Sequence, residues 1–240
     1  FWGVFFFVTP SAAQDASTVV ERYATRMKGI AVGDLLVTQS LTVVNPQNPG
    51  DRVTGDQRLS IKFPARQRLE TQIAGEREVR LLNGGRMVVR RGGKAYEAPP
   101  QEGGHQRGDL LIPFERSAAE LLSQWRSLGV RTEISHVTAV DGRQVTVIRA
   151  RAGDRASPAV WLDPEYGVMR LVTKDHSTGT TRTLEMVYSD HRKVMGDFFY
   201  PYEQQGLLDG KFVFVVRVRA VEFNVGLADS VFDPDALLKE

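Results

Sequence analysis

The 240-residue chain contains no cysteine. That absence excludes disulfides, thiolate metal sites, cysteine nucleophiles and lipidation at a processed N-terminal cysteine. Histidine is scarce as well. His105, His136, His176 and His191 are scattered over expected loops and strand ends, with no H-E-x-x-H pairing among them. The chain has no G-x-S-x-G elbow, no G-x-x-x-x-G-K-[ST] loop and no G-x-G-x-x-G opening a helix. Gly93-Lys94 is followed by Ala95, which breaks the phosphate-loop pattern. Asp233 and Asp235 flank Pro234 and read as local capping of a terminal turn. No catalytic residue, metal or cofactor is therefore expected, and the sequence does not read as an enzyme. Charge of one sign is also in short supply. With 31 basic and 29 acidic residues the net charge is +2, and nothing calls for a nucleic-acid partner. After the first few residues no stretch is long and apolar enough to span a bilayer as a helix.

Phe1 to Val8 is almost wholly apolar, Pro10 interrupts it, and Ser11-Ala12-Ala13 supplies small residues at the −3 and −1 positions of a cleavage site. Residues 1–13 are expected to be the late part of a secretory signal peptide, truncated at its start and cut after Ala13. Residues 14–240 then form the mature chain. Its 42% hydrophobic and 25% charged composition is that of a globular protein. No linker, low-complexity tract or repeat divides it, so one domain is expected.

An amphipathic helix is predicted over Ser17–Gly29, with Val19, Val20, Tyr23, Ala24 and Met27 on one face. The period then changes to two. Strands are predicted at Leu35–Val44, Val53–Phe63, Arg66–Ala74, Arg77–Leu82, Arg86–Arg91 and Lys94–Ala98, punctuated by Asn-Pro, Gly and Asn-Gly-Gly turns. Ser117-Ala118-Ala119-Glu120 has the spacing of a capping box. The helix behind it carries Ala118, Leu121, Leu122, Trp125 and Leu128 on one stripe and stops at Gly129. More strands follow, among them Ala159–Asp163, Val168–Lys174, Thr180–Ser189 and a short Asp197–Tyr202 segment whose Pro201 suggests an edge or the end of a strand. The longest is Lys211–Asn224. Simple alternation puts Phe212, Phe214, Val216, Val218 and Ala220 on one face, and Val213, Val215, Arg217, Arg219, Val221 and Phe223 on the other. Arg217 and Arg219 mark a solvent-facing middle. A cationic bias from Arg52 to Lys94 reads either as a solvated sheet face or as attraction to anionic head groups. The sum is about 11 strands, two or three helices and a large antiparallel sheet.

Four stretches carry a resemblance: Gly55–Pro64, Leu82–Val89, the Ala159-Val160-Trp161-Leu162-Asp163 segment with Gly167–Val172, and the terminal Phe223–Pro234. Their order resembles the LolA-like family of periplasmic lipoprotein carriers and outer-membrane lipoprotein-sorting proteins. The resemblance implies a half-open antiparallel β-barrel with helices over its mouth, enclosing an apolar cavity for acyl chains. It further implies a periplasmic monomer that takes acylated lipoprotein or lipid cargo from an inner-membrane donor towards an outer-membrane acceptor. A regulatory sensor of lipid or lipoprotein on the same fold is the alternative. The chain departs from the family at Phe63, where the carriers place a lid-bonding Arg before the strand-ending proline. Candidate cavity residues are Leu59, Ile61, Phe63, Leu69, Leu121, Trp125, Trp161, Leu184, Met186, Phe212, Phe214 and Val216. Each could equally belong to a closed core, because core and cavity share one pattern.

Overall fold

The computed structural model describes residues 16–98, 113–114, 116–148, 154, 157–175 and 180–239. The expected signal segment lies outside them. Two antiparallel meanders are fused into one sheet. The first comprises β1 (Asp34–Asn45), β2 (Asn48–Lys62), β3 (Arg66–Ile73), β4 (Glu76–Asn83), β5 (Arg86–Arg91) and β6 (Lys94–Ala98). The second comprises β7 (Ser135–Val140), β8 (Arg143–Ile148), β9 (Ala159–Asp163), β10 (Gly167–Asp175), β11 (Arg182–Met195), β12 (Phe198–Leu208) and β13 (Lys211–Phe223). β1 pairs with β13, giving the order β6-β5-β4-β3-β2-β1-β13-β12-β11-β10-β9-β8-β7. Among the described residues the sheet has 13 strands rather than about 11. It is not closed: β6 and β7 end the order without pairing to each other. Turn chemistry sets the register. Gly84 and Gly85 take φ of +56° and +86° between β4 and β5, angles that favour glycine in a two-residue hairpin turn.

Two helices lie on one face of this sheet. α1 (Ala16–Met27) buries Val19, Val20, Tyr23, Ala24 and Met27, the stripe its sequence predicts. α2 (Ala118–Ser127) opens with the expected capping box. Ser117 Oγ accepts from Glu120 N, and Glu120 Oε2 accepts from Ser117 N at 2.7 Å. The helix anchors Leu121 and Trp125, both with almost no exposure. Beneath the helices lies the main core, with Leu35, Val37, Leu59, Ile148, Val160, Leu162, Leu171, Leu184, Met186, Phe198 and Tyr200 among its members.

Two expectations about strands change. β12 is an interior strand of 11 residues that runs on past Pro201, neither a short edge nor a strand end at that proline. It pairs with β13 only from Glu203 onward, so the missing N–H of Pro201 breaks no bond on that side. β13 does not alternate simply. The β1–β13 register steps from Thr38↔Ala220 to Gln39↔Val218, leaving Arg219 bulged, and a second shift leaves Val213 bulged opposite β12. Each bulge reverses the phase. Phe214, Val216 and Val218 therefore share the helix-bearing face with Val221 and Phe223, while Phe212 is turned out and 37% exposed. Arg217 and Arg219 are exposed as expected, paired with Glu203 and Asp56.

The chain end straps the outer face of the first meander. Asp34, 5% exposed, accepts hydrogen bonds from the backbone N–H groups of Val225, Gly226 and Leu227. Asn83 donates to Phe232 O, Phe232 is fully buried, and α3 (Pro234–Lys239) sets Leu237 among Val79, Leu81 and Val88. Much of the cationic bias is met inside the protein. Lys62 and Arg66 pair with Asp229, Arg86 with Glu97 and Asp235, Arg68 with Glu70, and Arg80 and Arg91 with Glu78. This favours the solvated-face reading of that stretch.

Candidate functional site

α1 and α2 cover the second meander and the Leu35–Ile61 end of the first, but not the whole helix-bearing face. On β3 the residues Gln67, Leu69, Thr71 and Ile73 alternate onto that face, opposite Ile61, Leu59 and Gln57 of β2. Gln67 also pairs with Leu82, and Leu82 with Met87. A groove follows this row in two segments. The first, of about 480 Å³, lies against α2. It is lined by Ile61, Phe63, Pro64, Gln67, Leu82, Met87 and Leu128, with Arg66, Arg116, Gln124 and Ser127 at its polar side. The second, of about 590 Å³, is lined by Leu41, Val43, Leu69, Ile73, Val213, Phe214 and Val216 above Gln57 and Thr71, and it is rimmed by Glu76, Arg77, Glu78, Arg80 and Arg91. Gln67 lines the first and Leu69 the second, so the segments follow one another along β3 without a shared lining residue. From Gln67 to Ile73 the row runs about 20 Å at strand spacing.

Physical chemistry sets the character of the walls. Gln39 donates to Gln57 Oε1 at 3.0 Å, and Gln57 donates to Thr71 Oγ1 at 3.0 Å, a polar ladder that crosses β1, β2 and β3 beneath the second segment. The Phe214 ring packs over Gly206, its partner on β12; a Cβ added there would come within 2.2 Å of the ring. At the α2 end Phe63 meets Phe114 edge-on, centroids 6.0 Å apart, and its N–H donates to Gly33 O. Arg116 donates to Gln124 Oε1 at 2.6 Å, and Arg66 is engaged by Asp229 at 2.8 Å.

The twelve candidate residues divide three ways. Ile61 and Phe63 line the first segment; Leu69, Phe214 and Val216 line the second. Leu59, Leu121, Trp125, Leu184 and Met186 lie packed in the core under the helices. Trp161 and Phe212 are on the wrong face for the groove. Trp161 pairs with Arg170 and packs beside Val147 and Ala159 on the outer face, under the Arg170 guanidinium at 4.6 Å. Its neighbours Val160 and Leu162 take the inward positions of the five-residue strand. Phe212 is displaced by the Val213 bulge. Leu41, Val43, Ile73, Leu82, Met87 and Leu128 line the groove without having been singled out. Leu41 and Val43 continue the alternation of Leu35 and Val37, which was the one signal that could have found them.

The strongly shifted titrations lie away from the groove. At the end of the second meander Arg143 clasps Asp163 at 2.7 and 3.0 Å and Glu165 at 2.7 Å, and it stacks on Tyr166, which in turn stacks on His191 at 5.0 Å. Burial would raise the Asp163 carboxyl, but Arg143 and the N–H groups of Tyr166 and Glu165 outweigh it and hold the group low. Burial pushes the His191 imidazole down to about 4. Arg143, Asp163 and Glu165 satisfy one another and order a turn, while the buried Nε2 of His191 has no hydrogen-bond partner among the described residues. Among the described residues no cluster of His, Asp or Glu is placed to hold a metal ion, and no helix is long and apolar enough to cross a membrane.

No family model matches the sequence, and no curated protein does. Solved structures do match. One is a protein domain assigned to outer-membrane lipoprotein sorting from Vibrio parahaemolyticus, with a TM-score of 0.60 at 13% identity, over 93% of this chain and 98% of that one. A LolA-superfamily protein from Nitrosomonas europaea gives 0.58 at 12%, over 93% and 100%. A DUF1329-family protein from Desulfovibrio piger gives 0.57 at 14%, over 93% and 100%. At such identities the likeness is one of fold, and the chain has the LolA-like fold.

Proposed function

We propose that this protein is a periplasmic carrier that shields the acyl chains of lipoproteins or other lipids and passes them towards the outer membrane. The observation that supports this most is the groove across β2 to β5. It is long, open to one side, and lined by aliphatic and aromatic side chains at both ends. A chain lying there gains about 0.8 kcal/mol per methylene removed from water, with no chemistry required of the protein. The LolA-like fold supports the same reading, since two of the matched structures are described by lipoprotein sorting or by that superfamily. On this reading the ligand-bearing residues are Ile61, Phe63, Leu69, Phe214 and Val216 together with Leu41, Val43, Ile73, Leu82 and Met87. The helix-covered core under α1 and α2 is structural. Donor and acceptor would be complexes of the two membranes, meeting a carrier monomer at the open side.

The test is recovery of cargo. The full chain, expressed with export in a Gram-negative host and purified without detergent, should show lipid adducts by native mass spectrometry. It should also take up a fluorescent acylated peptide in solution. Protein recovered bare that fails to take up the peptide would contradict the carrier function.

A further inference from the structure

Gln67 stands out in the first groove segment. It is 4% exposed, yet its Oε1 is buried and accepts no hydrogen bond among the described residues. Its cross-strand neighbours on the same face are Ile61 on β2 and Leu82 on β4, and Leu69 follows it along β3. None can satisfy an amide. Two rows away Gln39 and Gln57 donate through their amide nitrogens along a ladder to Thr71, although Gln39 Oε1 is likewise buried and accepts no hydrogen bond among the described residues. A buried amide oxygen without a partner destabilises a fold, and a methionine or leucine would fill the same place without that penalty.

We propose that Gln67 is a ligand-binding residue that reads the head group of the cargo, and that this head bears a hydrogen-bond donor next to its acyl chain, as a hydroxyl or an amide N–H. This rests on the carrier reading and names the ligand class within it. A carboxamide offers one acceptor and one donor. Its terminal torsion is soft and roughly two-fold, so either end can turn to the groove. A head that both donates and accepts matches it in either orientation. A carboxylate or an ester, which only accept, leaves the oxygen unsatisfied. The chain would then run from Gln67 over Leu69 towards Ile73 and Phe214, with its head at the α2 end.

The experiment measures displacement of N-phenylnaphthylamine from the full chain by monolauroylglycerol, N-lauroylglycinamide and methyl laurate. All three share one acyl chain, and only the first two carry a donor. The wild type should prefer at least one donor-bearing ligand over methyl laurate by about three- to ten-fold, the worth of one net hydrogen bond. Whichever of the two displaces better identifies the donor as hydroxyl or amide. Gln67→Met should bring that ratio to near one while the melting temperature of the ligand-free variant holds or rises. Equal displacement by all three, or a preference that survives in Gln67→Met, overturns the proposal and leaves the carrier function standing. No displacement by any ligand overturns both. Should the variant not fold, the wild-type ratio alone decides.

Discussion

Gly206 shows how one residue shapes the groove wall. With no side chain at Gly206 on β12, the Phe214 ring packs over the backbone there and lines the groove. Gly206→Ala must push that ring aside. It should cost about 1–3 kcal/mol in urea unfolding, as overpacked sites do, and should cost much less in a Phe214→Ala background, since contacting residues are not additive. His191 carries a pH prediction. Desolvation, aided by Arg143 and opposed by Asp163 and Asp190, holds it at about 4, against about 6.5 in an unfolded chain. Between those values the unfolded state binds the extra proton. The stability contribution is therefore whole above pH 6.5 and is lost as the pH falls towards 4, by on the order of 3 kcal/mol. His191→Phe keeps the stack on Tyr166 and should flatten that loss when urea midpoints at pH 7 and pH 4.5 are compared. An unchanged slope would mean that other groups carry it.

Among the elements, the terminal strap depends most on one side chain. Asp34→Ala removes the carboxylate that holds the Val225, Gly226 and Leu227 N–H groups. It should cost about 1.5–3 kcal/mol, the range for hydrogen bonds to a charged group. Hydrogen exchange should rise across residues 225–239 before it rises in β1. The helices were legible in the sequence because their signals are local: a capping box, a stop at Gly129, a stripe of five apolar residues. Most strand positions were legible too, through period-two alternation between turn residues. The bulges of β13 were not. Arg219 and Val213 carry no Gly or Pro to announce a break, and what fixes the first is tertiary, the Arg219 guanidinium donating to Gln39 O and Asp56. The face assignments beyond each bulge therefore went wrong together, Phe212 with them.

For the whole molecule, the fold was legible and the site only partly so, for one physical reason. A buried strand face reads the same whether a helix or a ligand covers it. Leu184 and Met186 alternate as cleanly as Leu69 and Phe214, yet α1 and α2 lie over the former and leave the latter open. Which half is covered depends on where the helices dock, and no local pattern states that. The consequence can be tested with a filled groove. Leu69→Trp, at the junction of the two segments, should lower uptake of acylated peptide several-fold and leave the thermal midpoint within a few degrees. Loss of fold instead would place Leu69 in the core. The most direct test locates the ligand itself. The full chain loaded with a diazirine-bearing fatty acyl probe, irradiated and digested, should carry the label on peptides of β2 to β5, at residues such as Leu69, Ile73, Leu82 and Met87. Label concentrated on α1, α2 and the β8–β10 strands, around Trp125, Val160 and Leu171, would contradict a groove outside the helix-covered core.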